Sequence, residues 1–294
     1  YAYVSFTVAP RIYRLELSSN QTELWGEVEA PIRPDDFTAR QVWYPSKDGT
    51  KISMFVVHRK GLELDGARPT VLYGYGGFNI SLTPSFVRGA YTLLERGGVY
   101  AIANLRGGGE YGEAWHRAGM LEKKQNVFDD CIGAAEYLIR EGYTNRDKLA
   151  VMGGSNGGLL VGAVTTQRPD LFRAAVCAVP LLDMLRYHRF RIARLWIPEY
   201  GDPENPEHFR VLHAYSPYHR VRDGVCYPAL LITAAESDTR VDPLHARKWA
   251  ARLQAAQGCD RPILLRIETK AGHGAGKPLT KVIDEQVDIW TFLL

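Results

Sequence analysis

Residues 149–161 read LAVMGGSNGGLLV, and they decide the fold. Four glycines surround Ser155 in a G-x-S-x-G pattern, with a β-like run before it and a helix-like run after it. A strand that turns directly into a helix forces unusual backbone angles on the residue at the corner and needs small neighbours around it. That corner lifts the serine hydroxyl above the edge of a sheet. A phosphate-cradling loop would need Lys and Ser or Thr after the glycines, and no lysine follows them.

Reading outward, strand-like runs at residues 51–59, 70–76, 99–106, 148–154, 174–180, 229–235 and 263–269 alternate with helix-like runs. The longest helical runs are residues 126–142, 156–167, 242–258 and 279–294. Such alternation predicts an α/β fold, a mostly parallel sheet with helices on both faces. Residues 1–40 instead alternate apolar and polar positions as short strands do, then pass through a proline-punctuated stretch. They are too few to hold a core of their own. We therefore expect a short strand segment and linker at 1–40 and the α/β domain at 41–294.

Composition excludes several classes. With 36 basic against 33 acidic residues spread along 294 positions, the net charge of +3 points to neither a nucleic-acid partner nor an anionic membrane surface. No apolar run approaches the ~20 residues that span a bilayer. Cys131, Cys177, Cys226 and Cys259 show no paired spacing, so reduced, structural thiols are expected. A second glycine motif, Gly107, Gly109 and Gly112 after the run 99–106, superficially matches a dinucleotide fingerprint. The segment behind it is a poor helix start, and the acidic residues about twenty positions on lie in a helix, so a nucleotide is not expected.

A serine nucleophile requires a base and an orienting acid, each on a loop after a later strand, in the order Ser, Asp or Glu, His. Of eight histidines, only His273 follows a late strand and precedes the last helix, in the small-residue setting AGHGAG. The strand before that ends in AESDTRVDP, which offers Glu236, Asp238 and Asp242. Asp242 precedes Pro243 as a helix-capping pair does, leaving Asp238 as first candidate and Glu236 as second. The backbone N–H after the nucleophile, on Asn156, is one donor for an oxyanion.

The stretches LYGYGGFNIS, ANLRGGGEYGEAWH, KKQNVFDD, GGSNGGLL, QRPDLF, WIPEYG, YSPYH, SDTRVDPLHARK and AGHGAGKP occur in this order. Through nearly all of residues 41–294 they resemble the catalytic domain of the prolyl oligopeptidase family. The resemblance implies an α/β-hydrolase fold paired with a β-propeller, residues 1–40 resembling the last propeller strands, and the chain as a whole a C-terminal portion. It implies a serine peptidase that cleaves short peptides after proline through an acyl-enzyme, with no cofactor and no metal. Matched by position, Ser155, Asp238 and His273 form the triad and Tyr75 supplies the second oxyanion donor. Phe78, Leu181, Trp196, Tyr200 and Val241 line a proline pocket, and Arg240 holds a substrate carbonyl. Glu199 is the acid near that pocket whose charge would alter the reading. Alternatives are oligopeptidase B, an acylaminoacyl-peptidase, or a non-catalytic binding module of the same fold. The cytoplasm is the expected location, with the periplasm or the exterior as alternatives because the sequence does not begin with Met.

Overall fold

A computed structural model describes residues 1–274 and 276–294. Its framework is an eight-stranded sheet preceded by a small antiparallel one. The small sheet comprises β1 (Ala2–Tyr3), β2 (Arg11–Glu16) and β3 (Gln21–Glu27). The large sheet follows with β4 (Phe37–Pro45), β5 (Lys51–Arg59), β6 (Thr70–Tyr73), β7 (Val99–Ala103), β8 (Leu149–Gly154), β9 (Ala174–Ala178), β10 (Ala229–Ala235) and β11 (Ile263–Glu268). Its order is β11-β10-β9-β8-β6-β7-β5-β4, antiparallel from β4 to β7 and parallel from β7 to β11.

All seven expected strands of the α/β domain are present. The sheet also includes β4, which starts at Phe37, ahead of Gln41, and pairs with β5 along its full length. Its polar, half-exposed edge position gives it little of the apolar run that marks its neighbours.

The period of two along each strand distributes the core between the two faces. On β7, Val99, Ala101 and Ala103 face the helices Gln125–Arg140, Asn156–Gln167 and Leu244–Ala256, while Tyr100 and Ile102 face the other layer. On β8, Leu149 and Val151 face the first layer, and Ala150 and Met152 the second. The second layer includes the helix Leu279–Leu293, which contributes Trp290. Phe6 belongs to this layer and packs against Phe55, so the segment behind β1 is fastened to the large sheet. By contrast β2 and β3 leave Ile12, Leu24 and Trp25 exposed.

The expectation of four reduced cysteines is corrected. Cys226 and Cys259 form a disulfide, with Cα atoms 5.1 Å apart across 33 residues of sequence. They lie just ahead of β10 and β11, which are neighbours in the sheet, so a crossover helix separates them in sequence but not in space. Cys131 and Cys177 are free and buried, and burial pushes both thiols up. No helix among the described residues is long and apolar enough to cross a membrane.

Candidate active site

Ser155 sits at the end of β8, the strand flanked by β6 and β9 near the middle of the sheet, and is the first turn's cap on the helix Asn156–Gln167. Its φ of 59° is one that a side chain rarely adopts. Two restraints hold it there: the Ser155 N–H donates to the Ala178 carbonyl at 2.8 Å, and the Leu159 N–H donates to the Ser155 carbonyl at 3.1 Å. Glycine is required where the corner folds back on itself. A Cβ on Gly153 would lie 2.4 Å from the Gly157 carbonyl oxygen, a backbone collision that no rotamer relieves.

His273 follows β11, and its Nε2 is 3.0 Å from Ser155 Oγ. Its Nδ1 is 2.6 Å from Asp238 Oδ2. Asp238 follows β10 and is 1% exposed. Its other oxygen, Oδ1, accepts from the backbone N–H groups of Arg240 and Val241, both at 2.9 Å. The two loops are stitched together by the Ser237 N–H donating to the Ala271 carbonyl at 3.1 Å. Hydroxyl, imidazole and carboxylate in this order form a path along which a proton can leave the hydroxyl. Glu236, the second acid candidate, is exposed and outside this path. Asp242 stands one residue ahead of Pro243, which holds the cap position of the next helix, and its Oδ1 accepts the Leu244 N–H at 2.9 Å.

Tyr75 lies two residues past β6, the strand beside β8, with its phenol close to Ser155. Burial pushes the phenol up, and the Arg240 guanidinium pulls it the other way. It therefore stays a donor at neutral pH. The Asn156 N–H is at the free N-terminus of the elbow helix, where backbone donors have no intrahelical partner. The Asn156 side chain donates from Nδ2 to the Tyr75 carbonyl at 2.6 Å.

Beside this point three aromatic rings meet at right angles. Phe78 is edge-on to Trp196 (centroids 6.3 Å apart) and to Tyr200 (5.5 Å). Tyr200 is buried, Phe78 and Trp196 only partly so. Leu181 and Val241 are buried in the same core. Arg240 is exposed, its backbone committed to Asp238 and its guanidinium near Tyr75. The expected site residues all follow the carboxyl ends of β6, β8, β9, β10 and β11, Asn156 opening a helix and Trp196 and Tyr200 standing in short helical turns.

Glu199 does not enter the pocket as a loose charge. Its Oε1 accepts the Phe78 N–H at 2.9 Å and lies 3.7 Å from Lys124 Nζ, and its Oε2 is 2.8 Å from His116 Nε2. Lys124 and His116 were not expected at the site. Both lie in the quoted stretches KKQNVFDD and ANLRGGGEYGEAWH, but nothing local marks a lysine that meets Glu199 from 75 residues away.

The decoy glycine loop has a packing explanation. A Cβ on Gly107 would lie 2.7 Å from the Gly76 carbonyl oxygen, so the loop presses against the strand-end turn that carries Tyr75. Only one helical turn, Glu113–Arg117, follows it.

Comparison with known proteins points to a family and to the same fold. The profile of the prolyl oligopeptidase family matches residues 84–294. Prolyl endopeptidases from Elizabethkingia miricola and Dictyostelium discoideum are each 46% identical, over 100% and 99% of this chain but 42% and 40% of their own lengths. The chain thus spans about two fifths of these curated relatives. A prolyl endopeptidase structure studied for the role of inter-domain dynamics in catalysis and specificity superposes with a TM-score of 0.96 at 57% identity, covering 99% of this chain and 43% of the other. Prolyl oligopeptidase B from Galerina marginata, bound to a 35mer hydrolysis and macrocyclization substrate, superposes with a TM-score of 0.93 at 39% identity, covering 99% of this chain and 42% of the other.

Proposed function

The chain belongs to the prolyl oligopeptidase family, and we propose that the protein is a serine peptidase that hydrolyses short peptides on the carboxyl side of proline through an acyl-enzyme. The observation that carries this reading is the unbroken chain from Asp238 through His273 to Ser155. Ser155 Oγ attacks the carbonyl carbon of the proline residue as His273 Nε2 takes its proton. Asp238 fixes the proton on Nδ1 and stabilises the imidazolium that forms. The carbonyl oxygen becomes an oxyanion between the Asn156 N–H and the Tyr75 hydroxyl, donors aimed where charge develops. Collapse breaks the C–N bond, the leaving amine takes the proton from His273, and an ester on Ser155 remains. Water then repeats the sequence, with His273 again as base.

Specificity follows from the chemistry of a prolyl ring, which is flat and apolar and offers no N–H. A pocket for it should be aromatic and uncharged. Phe78, Trp196 and Tyr200 fit that description, with Trp196 stacking on the ring and Leu181 and Val241 closing the base. A pocket for a basic side chain, as an oligopeptidase B would need, requires a free carboxylate, and Glu199 is engaged by Lys124, His116 and the Phe78 N–H. Arg240 is left to bind a carbonyl of the bound peptide. A non-catalytic module has no need for the hydrogen bonds that orient His273. The small sheet β1–β3 is the end of a propeller that filters peptides by size, a reading supported by the apolar side chains exposed on β2 and β3.

Fluorophosphonate labelling tests the chemistry: Ser155 becomes the modified residue, and an unmodified Ser155 in folded protein would sink the peptidase reading. Turnover of reporter peptides ending in proline, arginine or alanine tests the specificity, with proline expected to dominate. The Cys226–Cys259 bond favours the periplasmic or secreted location over the cytoplasm, where thiols are kept reduced. Protein alkylated at lysis should then show two reactive thiols after unfolding, and four would return it to the cytoplasm.

A further inference from the structure

The peptidase reading leaves a deeply buried charge beside the site without a role. Lys124 is 1% exposed, just before the helix Gln125–Arg140, and touches neither the triad nor the aromatic pocket's open side. Its ammonium donates to the Gly76 carbonyl at 2.9 Å and to Asn156 Oδ1 at 3.2 Å, with Glu199 Oε1 at 3.7 Å. It also lies over the Tyr200 ring, 5.4 Å from the centroid, and the Tyr200 hydroxyl donates to the same Asn156 oxygen at 2.9 Å. Burial draws the lysine down to about 8, with Glu199 pulling it back up. It remains charged at neutral pH.

These contacts converge on one distance. Asn156 brings its backbone N–H to the oxyanion, and its position is fixed by the elbow helix. Tyr75 is on a separate, glycine-flanked turn with no helix or strand to set it. The Asn156 carboxamide reaches across to the Tyr75 carbonyl, and Lys124 grips both that carboxamide and the next carbonyl of the Tyr75 turn, on Gly76. The turn approaches so closely that a Cβ on Gly77 would lie 2.5 Å from Asn156 Nδ2. Glu199 completes the frame by holding the Phe78 N–H on the far side of the same turn. We propose that Lys124 is a positioning residue that holds the Tyr75 hydroxyl in register with the Asn156 N–H, so that two donors on different segments meet one oxyanion. This assignment rests on the peptidase reading above.

A double-mutant cycle in the intact protein tests it. Lys124→Met keeps an unbranched side chain, one atom shorter, and removes the donors. A catalytic group displaced by about 1 Å can lose on the order of 10²-fold, so Lys124→Met should lower kcat on a proline reporter by ~30- to 100-fold. Because no contact to substrate is removed, KM should stay within about threefold. In the Tyr75→Phe background, where the donor being positioned is already gone, the same change should cost no more than about threefold. A lysine that merely supports the fold would cost the same factor in both backgrounds, and that result overturns the assignment, as does an unimpaired Lys124→Met. If Lys124→Met does not fold by circular dichroism, Lys124→Gln, which retains a neutral donor, enters the same cycle under the same criteria. A folded wild type that resists fluorophosphonate overturns the peptidase reading and the lysine's role together. A labelled, active wild type with additive losses overturns the lysine's role alone.

Discussion

Replacing Asp238 with asparagine changes one atom, and the hydrogen bonds around it dictate the outcome. Oδ1 is fixed by two backbone N–H donors, on Arg240 and Val241, and Oδ2 faces His273. Asparagine must keep its oxygen toward the two N–H groups, since turning its NH₂ there would leave both donors, the Val241 one buried and the Arg240 one part-buried, unpaired at up to ~1–3 kcal/mol each. The NH₂ therefore points at His273 Nδ1, which can only accept. The ring proton moves to Nε2, where it faces Ser155 Oγ and removes the base. Reversing the amide would cost ~2–6 kcal/mol in total, which holds the productive arrangement down by roughly 30- to 10⁴-fold. Loss of the carboxylate's charge beside the imidazolium adds to this, and an asparagine at the corresponding point of other Ser-His-Asp triads costs ~10⁴-fold. We expect Asp238→Asn to lower kcat/KM on a proline reporter by ~10³- to 10⁴-fold and to slow fluorophosphonate labelling in parallel, with melting temperature little changed. A loss below about tenfold would mean that asparagine can present its oxygen to the ring, and would refute the role given to the Arg240 and Val241 amides.

Other expectations follow from other parts of the molecule. Trp196→Ala should erode the preference for proline over alanine reporters, because it removes the face on which the prolyl ring stacks; equal losses on both reporters would remove Trp196 from the pocket. The double variant Cys226→Ser, Cys259→Ser releases a loop of 33 residues, which by chain entropy should cost ~3–4 kcal/mol and lower the melting temperature by about 6 °C. Turnover per folded molecule should not change, because the bond is at the opposite ends of β10 and β11 from the triad; a fall in kcat would contradict this. His245 is buried with Nδ1 accepting the Leu182 and Asp183 N–H groups at 3.2 and 3.1 Å, and burial brings its pKa from 6.5 to about 4. The unfolded chain then takes up the proton first, so this contribution is whole above pH 6.5 and is lost as pH falls toward 4, with a slope of at most ~1.4 kcal/mol per pH unit. His245→Asn, which can accept the same two amides without protonating, should show a shallower acid decline in urea unfolding, and parallel curves would exclude His245 as a cause.

The strands were legible because in parallel strands covered on both faces nearly every residue is apolar, as in TVLY of β6 or VYAIA of β7. The triad was legible for a related reason: its members sit one after another at the ends of strands that the same pattern reveals. β4 was missed because an edge strand exposed along one side has no such run. The Cys226–Cys259 pair and the meeting of Lys124, Glu199 and His116 were hidden for a different reason. Each joins segments that only the sheet order makes neighbours, and a cysteine or lysine that finds its partner across a crossover carries no local spacing to betray it. The aromatic pocket fell between these cases. Taken alone, LWIPEYG is ordinary packing, and only the resemblance of its surroundings suggests a wall for proline.

The site is built from two halves of unequal stiffness, and that sets where new specificities can arise. On one side, the Gly153–Gly157 crossing, the Asn156 carboxamide and buried Tyr200 leave no volume for a different side chain. On the other, Trp196 is only half-buried, on a stretch that includes exposed Ile192 and Leu195. Directed evolution toward other residues at the cleavage site should therefore accumulate changes between positions 191 and 198 and spare the elbow. The same division means that the chemistry can be inherited unchanged while the choice of bond drifts.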